Sequence, residues 1–447
     1  MSQISKKQHA DWFRDSSPYI NVHRGKTFVL HLPGEAIEHD NFRNIVKDVL
    51  LLNSLGIRLI IVFGAAAQID KRLIKENLSS TLDSQIRITT TEILPLIEEV
   101  IGKIRFDLEA ALSKGVVNAP EGLKEVLVSS GNFLKAKPLG IVNGQDFQHT
   151  GRIRKVNTQA LRQQLDANAI VLVSPLGNSP SGEIFNINSK EVAAEVASSL
   201  QSDKLIFLCK EHGVINEKGH VINEIQIDDV DNQIVNERDD EIVDNLAESA
   251  TAAFSALSFA KDACKKGVSR CHLIGFEEDG ALLEELFTRD GSGTQVTRSS
   301  YEQIRKASPQ DVGGIIELIR PLELDGALKK RPRELIEAEI EKFIVISRDG
   351  MIVSCAALYP FGEQGELACL ATHPTYRNNN RGEKLLKAIE IEARLRALET
   401  LFVLTTQSAH WFTERGFIEQ SISTLPESKQ TLYNFQRNSK FFEKPLD

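Results

Sequence analysis

Two short apolar runs set the class of fold. KTFVLHL (26–32) and IRLIIVF (57–63) are dense in β-branched, aromatic and other apolar residues, and between them Phe42, Ile45, Val46 and Val49 recur at the spacing of one helix face. A strand apolar on both sides has to be covered on both faces, and strand–helix–strand units lay such strands parallel with helices over the sheet. The pattern returns. A charged helix candidate begins near Asp70, and EVLVSS (125–130), AIVLVSP (169–175), KLIFLC (204–209) and RCHLIGF (270–276) read as further buried strands. GNFLKAK and GIVNGQDF read as a hairpin-like insertion among them. Residues 1–298 are therefore expected to form one large α/β domain on a parallel sheet.

After RDGSGTQVT (289–297) the pattern changes. A strand-like start leads to Ser308, Pro309 and Asp311, a helix-start signal, and then Val312, Ile315, Ile316 and Ile319 at helical spacing, with Pro321 expected to end that helix. EKFIVISRDGMIVSCAALYPF predicts a β-hairpin turning at Asp349-Gly350. GELACLATHP reads as a strand, RGEKLLKAIEIEARLRAL as an amphipathic helix and LFVLTT as a strand, so 299–447 is expected to be a second, mixed α/β domain.

Composition narrows what the two domains can do. The chain has 53 basic against 62 acidic residues, net −9, and neither part carries the basic excess of a nucleic-acid or membrane-surface module. Cys209, Cys264, Cys271, Cys355 and Cys369 form no CxxC pair and sit near no histidine at zinc-ligand spacing, so reduced thiols and no metal are expected. No apolar run approaches the ~18 residues of a membrane span, and the N-terminus lacks the apolar stretch of a secretory signal. The expected compartment is the cytoplasm.

The junction THPTYRNNNRGEKLL sets a turn rich in arginine, asparagine and glycine between a strand and a helix N-terminus. Backbone N–H groups and the helix dipole make such a junction an anion site, here flanked by Arg377 and Arg381. A solvated basic loop is the plain alternative. The order of elements, meander then strand, R-x-x-x-x-G loop and helix, resembles the GCN5-related N-acetyltransferase (GNAT) family. GELACLATHPTYR, LFVLTTQSAHWFTERGF, LPESKQTLYNFQRNSK and PLELDGALKKRPRELIE resemble segments of the bacterial N-acetylglutamate synthase family. PYINVHRGKTFVLHLPGE, SPLGNSPSGEIFNI and ELFTRDGSGT resemble its amino-acid-kinase-like domain.

The resemblance implies an amino-acid-kinase-like parallel-sheet sandwich followed by a GNAT-type mixed α/β domain. It implies acetyl transfer from acetyl-CoA to the α-amino group of L-glutamate, the first step of arginine biosynthesis. Acetyl-CoA would lie against Leu370, Thr372, Arg377, Asn378, Asn379, Asn380, Arg381, Gly382 and Glu383. Asn380 stands where the family pattern has a glycine, and asparagine tolerates left-handed backbone angles better than most residues. Glu366 would act as general base, since an α-amino group of pKa about 8 is mostly protonated at neutral pH. Thr405, or Thr406 beside it, would assist the leaving thiolate. The acceptor's carboxylates would meet Lys330, Lys429 and Arg437, with the backbone of Leu328 and Cys369; Lys429 stands where relatives often have arginine.

In the N-terminal half, HLPG and FGAA stand where an amino-acid kinase carries K-x-G-G and H-G-G-G. His31, Pro33, Phe63, Ala65 and Ala66 remove the cation and the close backbone approach that phosphoryl transfer needs, so no kinase activity is expected. Glu285, Gly291, Gly293 and Thr294 resemble an arginine-effector site, making L-arginine an expected regulator and a homo-oligomer the expected assembly. A non-catalytic amino-acid sensor and an acetyltransferase with another acceptor, such as aspartate, remain the alternatives.

Overall fold

The computed structural model describes every residue except 1–5, 84–85, 116–124, 217–218, 232–246, 289–290, 299–301, 349, 378–379, 431–438 and 447. The chain divides into two compact units, Met1–Ser299 and Ser300–Asp447.

The first unit is built on an eight-stranded sheet. Its strands are β1 (Thr27–Leu32), β2 (Arg58–Phe63), β3 (Val128–Ser130), β4 (Ile170–Val173), β5 (Lys204–Cys209), β6 (Glu224–Gln226), β7 (Arg270–Gly275) and β8 (Thr294–Thr297), in the order β6-β8-β7-β5-β1-β2-β4-β3. The central pairs are parallel, and only β8 runs antiparallel to its neighbour β7. The apolar runs have the reason given by their sequence, because alternate residues serve two different cores. Phe28, Leu30, Leu59 and Ile61 face one cluster with helices α2 (Phe42–Ser54) and α4 (Leu94–Leu112), counting α1 as Lys6–His23 and α3 as Ala66–Lys75. Val29, Ile60 and Val62 face the other, beneath α5 (Ser189–Leu200) and α6 (Ala247–Lys265). The expected hairpin-like insertion forms differently: Leu134–Pro138 pairs antiparallel with Gly151–Val156 in a separate four-stranded sheet with Leu176–Asn178 and Ile184–Asn186, while Ile141–Val142 pairs only with Gln145–Asp146. A short helix α7 (Ala281–Phe287) follows β7.

The second unit holds a seven-stranded sheet made of β9 (Glu302–Lys306), β10 (Phe343–Arg348), β11 (Met351–Phe361), β12 (Gln364–Thr372), β13 (Thr400–Thr405), β14 (Ile418–Gln420) and β15 (Lys440–Pro445), in the order β9-β10-β11-β12-β13-β15-β14. All pairs are antiparallel except β12 with β13. Helix α8 (Val312–Leu324) covers one face through Val312, Ile315 and Ile319, and it is followed by the short α9 (Arg333–Ala338). Helix α10 (Arg381–Leu395) covers the other through Leu385, Leu386 and Ile389.

Pro321 does not end α8, which runs three residues further, to Leu324. Proline lacks only its own N–H, and in the last turn that costs one bond while the carbonyl of Pro321 still accepts from Asp325 N at 3.0 Å. Gly350 adopts φ +76° in the β10–β11 turn; its neighbour Asp349 lies outside the described residues. Helix α3 also starts four residues before Asp70.

Candidate functional site

Strand β12 carries the site because it is irregular on both edges. Toward β11, Cys355 pairs with Ala371 and Ala357 with Ala368, so Cys369 and Leu370 together oppose the single residue Ala356. This β-bulge puts Cys369 at φ +53°, a left-handed conformation, and takes two peptide units out of the ladder. Toward β13, parallel pairing stops at Glu366–Phe402 although both strands continue. Beyond that point backbone N–H and C=O groups of β12 and β13 lack each other as partners, which leaves them for a ligand that can pair with peptide groups.

Glu366 sits where the two strands part. Its side chain is buried, and Lys429 Nζ donates to Oε2 at 2.5 Å. Lys429 belongs to a four-residue helical turn, Glu427–Gln430, and its ammonium also lies 5.5 Å from the centre of the Phe361 ring. Thr405 ends β13, and its Oγ1 accepts from Ser408 N at 3.0 Å; Thr406, beyond it, is exposed. Cys369 is buried against the α8-side core, where Leu328 and Tyr359 also pack, and burial pushes its thiol up to about 11. The structure thus brings Glu366, Lys429, Cys369 and Leu328 to one region. Lys330 is exposed, and Arg437 lies outside the described residues.

Sequence reading passed over Arg331, which is half-buried beside Lys330. Its guanidinium lies 6.0 Å from the centre of the Tyr359 ring, and Tyr359 is the cross-strand partner of Glu366. Both residues lie in the KKRPRE run, and spacing alone does not tell which of two adjacent cations turns inward.

The anion junction is partly corrected. Asn380 adopts φ 50°, ψ 21° at the start of α10, the conformation a glycine would supply. Arg377 is exposed at the turn, but Arg381 is not a second flanking cation. Its Nε donates to Glu302 Oε1 at 2.6 Å and its Nη1 to the Tyr376 carbonyl at 2.7 Å, so the guanidinium braces the loop from inside. What Arg381 offers an anion is its main-chain N–H. Gly382 lies against the Trp411 ring, 3.1 Å from where a Cβ would stand. Glu383 pairs with Lys387 at 3.1 Å and lies 4.0 Å from Arg415. Leu370 packs in the α10-side core, and Thr372 shares a hydrogen bond of 2.6 Å with Ser354 Oγ. Asn378 and Asn379 lie outside the described residues.

In the first unit Glu285, which the resemblance puts at an arginine-effector site, is held by neighbours in its own fold. Oε1 bonds His272 Nδ1 at 2.6 Å, and Oε2 accepts from the amides of Ser292 and Gly293 at 2.8 and 2.9 Å. The turn's donors and the carboxylate therefore satisfy each other. Lys204 Nζ lies 3.1 Å from His272 Nε2, and an ammonium can only donate, so His272 carries its proton on Nδ1. Burial first, then the charge of Lys204, lowers His272 to about 4, and burial lowers His23, whose Nε2 donates to the Leu286 carbonyl at 2.8 Å, to about 4 as well. Burial alone would raise Glu285, but its hydrogen bonds from His272 and the two amides hold it below the usual carboxylate range. Gly291 (φ +67°) and Gly293 are required by space: a Cβ would stand 2.4 Å from Glu285 Oε2 and 2.1 Å from the Leu273 carbonyl respectively. Thr294 is buried, and its Oγ1 accepts from Val214 N at 2.8 Å. His23, Lys204 and His272 were not singled out by sequence, since each sits within or beside an otherwise apolar element.

At the kinase-like strand ends, His31 is buried with Nε2 2.9 Å from Ser189 Oγ, and burial followed by the Lys190 charge lowers it to about 3, so it is neutral. Phe63 is fully buried, and Ala65 precedes α3. Among the described residues no group of three or more His, Cys, Asp or Glu gathers to hold a metal, and no helix is long and apolar enough to cross a membrane.

Residues 26–275 match the amino acid kinase family, and residues 339–419 match the acetyltransferase (GNAT) domain. The amino-acid acetyltransferase of Serratia proteamaculans is 50% identical over 430 residues, 96% of each chain, and that of Escherichia coli K12 is 48% identical over 442 residues, 98% of each chain. The crystal structure of N-acetylglutamate synthase from Neisseria gonorrhoeae complexed with coenzyme A and L-arginine is similar over 98% of this chain and 99% of that one, with 35% identity and a TM-score of 0.84. A structure of the same enzyme complexed with coenzyme A and N-acetyl-glutamate aligns with a TM-score of 0.61. The chain belongs to the amino-acid acetyltransferase family, with an amino-acid-kinase fold followed by a GNAT domain.

Proposed function

We propose that this chain transfers the acetyl group of acetyl-CoA to the α-amino group of L-glutamate, with Glu366 as general base and Thr405 at the departing thiolate. The observation that carries the reading is the position of Glu366 at the point where β12 and β13 stop pairing. The pantetheine arm of coenzyme A carries amides that can pair with the separated strands, which lays its thioester along β12. The pyrophosphate then falls toward the N-terminus of α10, with Arg377, Asn380 and the amides of Arg381 and Gly382 as its donors.

Glu366 takes a proton from the acceptor's ammonium group, and the freed amine attacks the thioester carbonyl. The main-chain N–H groups of the Cys369–Leu370 bulge bind the oxyanion that forms in this reading. As the carbon–sulfur bond breaks, the proton shed by the nitrogen, which became cationic on attack, passes to the departing sulfur, and the Thr405 hydroxyl, held by the Ser408 amide, steadies the sulfur there. A threonine hydroxyl is too weak an acid to be the free proton source, so its part is orientation.

The N-terminal unit lacks the phosphate cradle of a kinase, and arginine feedback is its proposed role, in line with the arginine-complexed relative. A cytoplasmic homo-oligomer completes the reading. The test is release of free thiol from acetyl-CoA with each amino acid in turn. Dependence on glutamate supports the assignment, equal rates with aspartate or lysine remove it, and no release with any acceptor favours the sensor alternative. Formation of ADP from ATP and N-acetylglutamate would overturn the loss of kinase function.

A further inference from the structure

Of the cations assigned to the acceptor by sequence, Lys330 is exposed and Lys429 is engaged by Glu366. Arg331 is in the opposite condition. Its main-chain N–H donates to Glu323 Oε1 at 2.9 Å, and Leu328 N donates to the Leu322 carbonyl at 2.9 Å, so the loop is pinned to the end of α8 on both sides of Lys330. Pro332, which follows, keeps Arg331 out of helical conformation. The side chain then lies over Tyr359 and donates to the Lys329 carbonyl at 3.1 Å.

Each carboxylate near this guanidinium has another partner. Glu339 accepts from Tyr359 Oη at 2.9 Å and from Lys342 Nζ at 2.9 Å, Glu323 accepts the Arg331 amide, and Glu366 accepts Lys429. Among the described residues no carboxylate forms an ion pair with the Arg331 guanidinium. Burial opposes its charge, but the nearby Glu366 carboxylate and a hydrogen bond to Tyr359 favour it, and it stays protonated. A half-buried cation without an anion is costly, which favours an anionic ligand.

Resting on glutamate as the acceptor, we infer that Arg331 is the residue that reads the acceptor's side-chain carboxylate and so sets the preference for a dicarboxylic amino acid. The two cations divide the work by position. Lys429 touches the base itself, so the group it can meet is the α-carboxylate, bonded to the same carbon as the reacting amine. Arg331 lies over Tyr359, one strand away from Glu366, and neighbouring strands are about 4.8 Å apart, the scale on which glutamate separates its two ends. Its planar fork binds a carboxylate through two parallel hydrogen bonds, which a lysine does not provide.

The experiment compares glutamate with glutamine, which has the same shape without the side-chain charge, in the full-length chain and its Arg331→Gln, Arg331→Lys and Lys330→Gln variants. Arg331→Gln is expected to raise the glutamate KM about 100-fold, to leave kcat within a few-fold, and to leave the glutamine reaction unchanged. Arg331→Lys, which keeps the charge and loses the fork, is expected to recover about tenfold of that loss, and Lys330→Gln to stay within threefold of wild type. Equal losses on glutamate and glutamine would make Arg331 a brace for Tyr359 and overturn the inference. Collapse of the glutamate preference in Lys330→Gln, with Arg331→Gln retaining it, would also overturn it. If Arg331→Gln does not fold, as judged by acetyl-CoA binding and melting, Arg331→Lys alone decides: a glutamate-specific rise in KM supports the inference, and an unchanged preference rejects it. A wild type that uses glutamate and glutamine equally removes the acceptor reading itself, whereas a wild type that prefers glutamate and a variant that still does removes Arg331 only.

Discussion

Lys429 holds Glu366 through a direct ion pair between Nζ and Oε2. Both groups are largely buried, so the base is oriented, and its charge balanced, by a residue 63 positions away in sequence.

Replacing Glu366 by Gln keeps the shape and removes the proton acceptor. The rate is expected to fall by roughly 10²–10⁴ at neutral pH, the range a general base supplies. Raising the pH should restore part of it, because more of the acceptor amine is then neutral. Thiol release measured from pH 7 to 9.5 tests this, and a variant with near wild-type rate at pH 7 would assign the base to another group or to water.

Lys429→Ala removes the partner of Glu366 and, on the proposed division of labour, the anchor of the α-carboxylate. Because every α-amino acid has that carboxylate, kcat/KM should fall about 10- to 100-fold for glutamate and glutamine alike, the scale of a lost charge-assisted hydrogen bond. The equality of the two losses is the diagnostic, and a loss confined to glutamate would exchange the roles of Lys429 and Arg331. Lys429→Arg should retain most activity.

Much of the fold was legible because burial on both faces leaves a continuous apolar run, as in IRLIIVF, and exposure of one face leaves a helical period, as in α10. Asn380 was legible too, since only a few residue types accept its left-handed backbone. Other features depend on contacts between distant residues. That Glu285 is engaged by His272 is decided by where β7 meets α7, and that Arg331 rather than Lys330 turns inward is decided by the bond from its own amide to Glu323. The bulge at Cys369 has no marker in GELACLATHP, because a cysteine at positive φ is held there by the sheet around it.

A stability prediction concerns Asp311 at the entrance of α8. Arg305 donates to both carboxylate oxygens at 2.7 and 2.8 Å, and the amide and hydroxyl of Ser308 add 2.7 and 2.8 Å bonds, which holds the carboxyl well below its usual range. A folded value depressed below the unfolded value of about 3.9 means stability that is present at neutral pH and is lost as pH falls below about 4. Asp311→Asn should therefore destabilise the second unit by about 2 kcal/mol at pH 7, with the difference from wild type shrinking as the wild-type carboxyl becomes protonated. Urea unfolding followed by Trp411 fluorescence in a Trp12→Phe background measures it, and a difference independent of pH would mean that packing, not charge, is involved.

The remaining prediction is the arginine response. The Glu285 carboxylate already accepts from His272 and from the amides of Ser292 and Gly293, so an arginine guanidinium would have to share it with these donors. The region still offers a rigid edge, with Lys204 and His23 close by and Gly291 and Gly293 leaving the turn's surface free of side chains. If this edge is the effector site, its geometry matters more than the Glu285 charge, and two variants separate the cases. Gly291→Ala drives a Cβ toward Glu285 Oε2 at a positive φ, deforming the turn, whereas Glu285→Ala leaves His272 Nδ1–H and two amides without an acceptor, at a cost of about 2–5 kcal/mol to the first unit. For feedback, arginine must also bind the active and inactive forms unequally, and a coupling of about 1–3 kcal/mol shifts activity about 5- to 150-fold. Both variants should therefore lose arginine inhibition and the arginine-induced rise in melting temperature, while acetyl transfer without arginine persists in Gly291→Ala. Retained inhibition in both would place the effector site elsewhere in the chain, and a wild type indifferent to millimolar arginine would leave the first unit a scaffold.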